Sequence, residues 1–168
     1  MEYNAQPDIK APMMIVGLCA ALGLLLAIAP AFVPGAPPYA FQLPAALVFL
    51  FCILLLSRFV LTSYTYQLYD AANTMSSYPK LNIYRIRKSG SRLSYCIPFN
   101  NVISVVKKEK TTKKTAKREN LCASMFPKDI YIVRYLCDDK EEEVAIECDE
   151  RFASEIETRI EQFSEVRR

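Results

Sequence analysis

The sequence predicts an α-helical transmembrane hairpin followed by an α+β domain, in which about seven antiparallel strands form a small barrel capped by a C-terminal amphipathic helix. Three observations in the 168 residues support this fold class. No charged residue lies between Lys10 and Arg58. Short segments with period-two alternation follow from Tyr64 onward, and a helical pattern with one apolar face begins after Asp149.

The uncharged segment is long enough for two membrane-spanning helices, since one crossing takes about 20 apolar residues. Pro and Gly residues at 34–38 interrupt it, because proline cannot continue a helix. We therefore predict an N-terminal tail at 1–11, a first spanning helix at 12–33, an external loop at 34–42 and a second helix at 43–62. A cleaved signal peptide is the competing interpretation of the first segment. It is disfavoured because that segment exceeds the usual length of about 7–15 residues and a second one follows at once.

The charges around the apolar segments predict their orientation. Lys10 precedes the first helix, Arg58 lies at the end of the second, and the connecting loop carries no charge. Since positive residues are retained on the cytoplasmic side, both termini are expected to be cytoplasmic. The helices contain few polar groups that could line a transport pathway, so they are interpreted as an anchor. Gly17 and Gly23 could allow close packing of helices.

The remaining chain, 64–168, is predicted to form one domain. Its predicted strands cover residues 65–69, 81–87, 93–98, 102–107, 120–125, 130–137 and 143–148. Asp149 is a plausible N-cap for the terminal helix. Phe152, Ile156, Ile160 and Phe163 fall on one face of that helix, which is expected to cover an open end of the barrel.

Several of these segments together resemble the bacterial pleckstrin-homology-like domains, including those that follow a two-helix membrane hairpin. The resemblance is carried by the aromatic strand at 63–66, the turn at 88–91, the segment Cys-Ile-Pro-Phe-Asn-Asn-Val-Ile-Ser-Val at 96–105 and the terminal helix. It implies a bacterial cell-membrane protein whose barrel is a binding or oligomerisation module without enzymatic activity. No phosphoinositide-binding motif of the wider family can be matched here, so the resemblance implies no particular ligand.

Charge is distributed unevenly along this domain. Between Lys80 and Arg118 there are 12 Lys or Arg residues and one acidic residue, whereas 12 acidic and five basic residues follow from Asp138. The candidate binding residues are Lys107, Lys108, Lys110, Lys113, Lys114, Lys117 and Arg118 in one loop, and Arg85, Arg87, Lys88 and Arg92 around the first hairpin. Basic clusters beside a cytoplasmic membrane helix are attracted to anionic lipid headgroups.

Other interpretations of the basic residues remain open. They could keep a loop solvated, serve as an orientation signal, or bind an acidic protein partner, including the acidic helix of a second copy. Nucleic acid is disfavoured because no aromatic residues are interleaved with the lysines. The leading hypothesis is a membrane-anchored binding module that contacts anionic lipid. The alternative is an accessory subunit of a membrane transport or secretion complex, held by the hairpin and the barrel.

An enzyme is the least favoured class. The chain has no His, which excludes Ser-His-Asp and Cys-His catalysis, and no constellation singles out acidic residues such as Asp129 or Glu147. The six cysteines lack Cys-x-x-Cys spacing and are interpreted as free thiols, more often core residues than metal ligands. We therefore expect no metal and no cofactor.

Overall fold

The computed structural model of the protein describes residues 1–33, 37, 39–69, 79–109 and 117–166, with side chains to residue 162. Lys110, Lys113 and Lys114 lie outside the described residues, as does the side chain of Phe163. The chain divides into two compact units. Pro7–Thr62 forms one, called the helical hairpin below. Met1–Gln6 and Ser63–Arg168 together form the other, called the sheet domain.

Two long apolar helices build the helical hairpin. Helix α1 (Lys10–Ile28) continues into a 3₁₀ turn at Ala29–Ala31, and α2 (Tyr39–Phe59) packs against it. Both are long and apolar enough to cross a membrane, and only 11% and 17% of their most apolar segments are buried. The core helix of a soluble protein would be mostly buried. Exposed apolar area on this scale marks a surface that faces lipid or another protein.

The helices approach each other closely at Gly23. A Cβ atom at this position would lie 3.1 Å from Cζ of Phe49, whereas nothing lies within 4 Å of a Cβ built at Gly17. Gly23→Leu should therefore lower the free energy of unfolding of the hairpin by about 1–3 kcal/mol, because the ring of Phe49 would have to move away to accommodate the side chain. Titration of helicity with SDS in micelles measures this difference. Gly17→Leu is the matched control, and equal effects of the two substitutions would contradict the packing.

The described residues of the sheet domain form two four-stranded sheets. The first has the antiparallel order β1-β2-β3-β4, with β1 (Glu2–Ala5), β2 (Ser63–Tyr69), β3 (Lys80–Arg87) and β4 (Gly90–Pro98). The second has the order β5-β7-β8-β6, with β5 (Val102–Lys107), β6 (Lys117–Asn120), β7 (Ile130–Cys137) and β8 (Lys140–Glu147). Helix α3 (Glu150–Val166) follows. The Asp149 carboxylate accepts a hydrogen bond from the Phe152 amide at 2.8 Å, which confirms the predicted cap.

Tyr66 joins the two sheets at the centre of the core. Its side chain is fully buried, and its hydroxyl donates to the carbonyl of Leu121 at 3.0 Å and accepts from the amide of Glu147 at 3.2 Å. Burial raises the pKa of this hydroxyl well above its usual value, so it stays protonated and donates. The ring lies among those of Tyr3 and Phe152. Strand β1 and helix α3 thus pack on the same aromatic centre.

Three features differ from the predicted fold. The predicted small barrel is not closed, because the strands pair as two separate sheets that share a core. The strand predicted at 120–125 is also wrong. Strand β6 ends at Asn120, whose side-chain oxygen accepts a hydrogen bond from the Cys122 amide at 3.0 Å, and β6 is parallel to β8 instead of antiparallel. Residues 2–5, expected within a tail, form strand β1 and pair with β2.

Candidate functional site

The basic residues near the first hairpin gather at one end of the first sheet. Strands β3 and β4 are joined at Lys88 and Ser89, and Gly90 has a φ of +133°, a conformation that favours glycine. We call Arg85, Arg87, Lys88 and Arg92 the basic tip. Arg87, Lys88 and Arg92 are exposed, and Arg85 is half-buried.

Strand register places the basic tip beside both connections to the helical hairpin. Ser63, the first residue of β2 after α2, pairs with Ile86. Ala5, the last residue of β1 before α1, pairs with Tyr64. The chain therefore leaves and re-enters the sheet domain at the end of the first sheet that carries the basic tip. This juxtaposition is not visible in the sequence, because it depends on which residues pair across the strands.

Two arginines of the basic tip stand directly opposite each other. Arg85 on β3 pairs with Arg92 on β4, in a row that continues through Tyr64 to Ala5. Among the described residues, none of the four basic side chains of the tip forms an ion pair, and Nε of Arg85 is buried without a hydrogen-bond partner. Like charges directly opposite each other destabilise a sheet. The arrangement therefore leaves both positive charge and donor capacity unsatisfied.

The lysine-rich loop gives a different result. Nζ of Lys107 lies 2.7 Å from the Asp129 carboxylate, a hydrogen bond that raises the pKa of Lys107. Lys108 and Lys117 are exposed. Lys107 and Lys117 lie on the two outer strands of the second sheet, and their positions are offset by four residues along β7, about 13 Å. Lys107 and Lys117, at the two described ends of the loop, therefore do not form a single basic patch.

Arg118 belongs to a buried ion cluster in the second sheet. Nη2 of Arg118 lies 2.7 Å from Oε2 of Glu143, and Nε of Arg134 lies 2.9 Å from Oε1 of the same residue. The Glu143 side chain is fully buried, so its charge depends on these two partners. This cluster connects β6, β8 and β7. No sequence pattern indicates this cluster, because Glu143 ends a Glu-Glu-Glu run that is typical of a solvated turn.

The chain matches no protein-family model, no curated protein and no solved structure. Its function therefore has to be inferred from its own residues. Within the described part of the chain, no group of three or more His, Cys, Asp or Glu residues could hold a metal ion.

The four cysteines of the sheet domain differ in burial. Cys122 and Cys148 are buried, as expected for core residues, whereas Cys96 and Cys137 are exposed. Burial raises the pKa of the Cys148 thiol to about 12. The thiolate is the reactive form of cysteine, so Cys148 is protected both by its burial and by its protonation.

Alkylation of the folded full chain should modify Cys96 and Cys137 and spare Cys122 and Cys148. Cys148 should stay unlabelled when the pH is raised from about 7 to about 9, because its folded pKa is about 12. Mass spectrometry of the labelled peptides measures both results, and the denatured chain is the control in which all four react. Equal rates for Cys148 and Cys137 in the folded protein would contradict the described burial.

Proposed function

We propose that this protein is a non-enzymatic integral protein of a bacterial cell membrane that holds its sheet domain against the cytoplasmic leaflet, where the basic tip contacts anionic lipid headgroups. The observation that carries the proposal is the register of the first sheet. It places the basic tip at the end where the chain connects to both apolar helices. With those helices across a membrane, this end of the sheet domain is the end tied to the bilayer surface.

Pairing of β1 with β2 supports the proposed topology. The two strands lie side by side in one sheet, yet both apolar helices lie between them in the sequence. The outer ends of α1 and α2 are therefore connected to the same folded unit. Two crossings with both ends on one side of the membrane satisfy this connection. Lys10 and Arg58, at those outer ends, favour the cytoplasmic side.

The charge of the basic tip supports contact with anionic lipid. Each Lys or Arg near such a surface contributes about 1 kcal/mol, and the attraction fades within about 10 Å at moderate ionic strength. All four side chains of the tip are without ion-pair partners among the described residues. Lys107 and Arg118, in contrast, are already paired with carboxylates, so the proposed contact rests on the tip.

We also propose a distant relationship to the bacterial pleckstrin-homology-like domains. Its support is the order of elements after α2, in which antiparallel strands are followed by a terminal helix packed on a shared core. The extra strand β1 and the parallel pairing of β6 with β8 depart from that pattern.

A tryptophan at the basic tip tests the proposed contact. The chain contains no Trp, so Ser89→Trp introduces a single fluorophore into the exposed turn without changing the charge. In nanodiscs that contain anionic lipid, its emission should shift to the blue and be quenched by brominated acyl chains, and salt should weaken both effects. Neutral nanodiscs should give weaker effects.

The matched control is Leu136→Trp. Leu136 is exposed, and its carbonyl accepts a hydrogen bond from Asn101, which lies just past the end of β4 that is remote from the turn. Its emission should resemble that of tryptophan in water in both lipid compositions. Identical, water-like emission at both positions would remove the support for lipid contact. It would favour the alternative of an accessory subunit in a membrane complex. Gly23 is not an available contact for another subunit in that complex, because it packs on Phe49 within the hairpin.

A further inference from the structure

We propose that Arg85 and Arg92 together bind a phosphate group, either a phosphomonoester of a lipid headgroup or free inorganic phosphate. The lipid form of this ligand rests on the proposed function, whereas binding of free phosphate does not. The site is more specific than a charged surface. It requires two guanidinium groups in one place, and not simply four positive charges.

Cross-strand geometry makes the two arginine side chains neighbours on one face of the sheet. Arg85 and Arg92 are direct partners of the β3–β4 ladder, so their side chains project from the same face of the sheet with Cβ atoms about 5 Å apart. A guanidinium presents a planar set of N–H donors that matches phosphate oxygens in pairs. Two such groups side by side can bind several oxygens of one phosphate at once.

The pair is unfavourable without an anion. Two positive side chains lie opposite each other, and no carboxylate among the described residues forms an ion pair with either of them. The row continues to Tyr64 and Ala5, which supply no negative charge. Nε of Arg85 is buried and has no hydrogen-bond partner, a condition that costs free energy in a folded protein. A bound phosphate would neutralise the pair and could accept from this donor.

The surroundings leave room for the anion. Arg87 lies two residues along β3 on the same face and is paired with Gly90, which has no side chain. A Cβ atom built at Gly90 would meet nothing within 4 Å. The side of the pair towards the turn is therefore open, and Arg87 provides a third cation beside it.

The experiment uses the full chain in dodecyl maltoside micelles, which contain no phosphate, and inorganic phosphate as the probe. Arginine Nε–H signals are recorded by NMR during the titration. Saturable movement of the Arg85 signal supports the site, with free phosphate as a sufficient ligand. Movement that occurs only in nanodiscs with phosphatidic acid, and not with phosphatidylserine, supports the site with a lipid phosphomonoester as its ligand. No movement under either condition overturns the proposal.

Charge-conserving variants separate a phosphate site from simple attraction. The double substitution Arg85→Lys and Arg92→Lys keeps the charge but removes the paired donors. It should weaken binding of inorganic phosphate, measured for every variant by isothermal titration calorimetry, about tenfold or more. Lys88→Gln removes a charge nearby and should change binding about twofold or less. Equal affinities of the double variant and the wild type would overturn the proposal. The Nε–H signals of Arg118 and Arg134, bonded to buried Glu143, show in the same spectra that each variant is folded.

The outcome is independent of the proposed membrane contact. If Ser89→Trp shows no contact with lipid but free phosphate still moves the Arg85 signal, the proposed function fails and the phosphate site stands. If the tryptophan reports contact with lipid but the double lysine variant binds phosphate like the wild type, the proposed function stands and the phosphate site fails.

Discussion

Replacing Glu143 with alanine should lower the free energy of unfolding of the sheet domain by about 3–5 kcal/mol. The carboxylate is fully buried and holds both Arg118 and Arg134, at 2.7 and 2.9 Å. Its removal leaves two arginines, whose side chains are only 15% and 29% exposed, without their shared anion. Chemical unfolding of the full chain in micelles, followed by the near-UV circular dichroism of its tyrosines, measures the loss.

Glu141→Ala is the matched control, since Glu141 is an exposed residue of the same strand. It should change the free energy of unfolding by no more than about 0.5 kcal/mol. Replacing all three members of the cluster with apolar residues of similar volume should recover most of the loss, because a buried ion pair repays little more than its desolvation. Similar effects of Glu143→Ala and Glu141→Ala would contradict the buried cluster.

Phe152→Ala should have a comparable effect, about 3–5 kcal/mol, for a different reason. Phe152 is fully buried, with its ring centroid 5.4 Å from that of Tyr3 and 6.2 Å from that of Tyr66. Its loss opens a cavity where β1, β2 and α3 meet. Both the midpoint of unfolding and the near-UV signal of the native state should fall, since two of the packed tyrosines lose a ring contact.

The chain supplies a control with the same chemistry. Phe126 is 67% exposed, so Phe126→Ala should change the free energy of unfolding by about 0.5 kcal/mol or less. An equal loss for the two variants would show that the aromatic centre does not hold the sheets together. A native near-UV signal in Phe152→Ala would contradict the packing of Tyr3 and Tyr66 on this ring.

Local sequence patterns predict those helices and strands whose own residues show hydropathy, alternation or turn signals. The two apolar helices, six of the eight described strands and the cap at Asp149 follow from hydropathy, alternation and turn residues, and their ends differ from prediction by a few residues. The Leu-Cys-Ala-Ser-Met segment at 121–125 has the composition of a strand because its first four residues are buried, but it lies beyond the end of β6. Strand β6 consists of Lys-Arg-Glu-Asn and is connected through Arg118 to Glu143, which no local pattern indicates.

The candidate site depended on information that a sequence does not contain. The sequence shows the basic residues, and the loop from Lys107 to Arg118 contains more of them than the hairpin does. Pairing across strands adds the information that supports the hairpin residues. It joined Arg85 to Arg92, brought the tip to the end of the sheet that is connected to the helices, and assigned Lys107 and Arg118 to carboxylate partners.

The pairing of β1 with β2 also has a consequence for folding during synthesis. Asn4 accepts a hydrogen bond from Thr65 at 2.6 Å, across 61 positions of sequence, so β1 can pair with β2 only after both helices have been synthesised. Long-range pairing of this kind forms late in folding. With the helices in a bilayer, a chain with one helix stranded on the wrong side could not join β1 to β2. Such a chain would lack the contacts of Tyr3 with the rings of Tyr66 and Phe152, so we expect its sheet domain to be less stable.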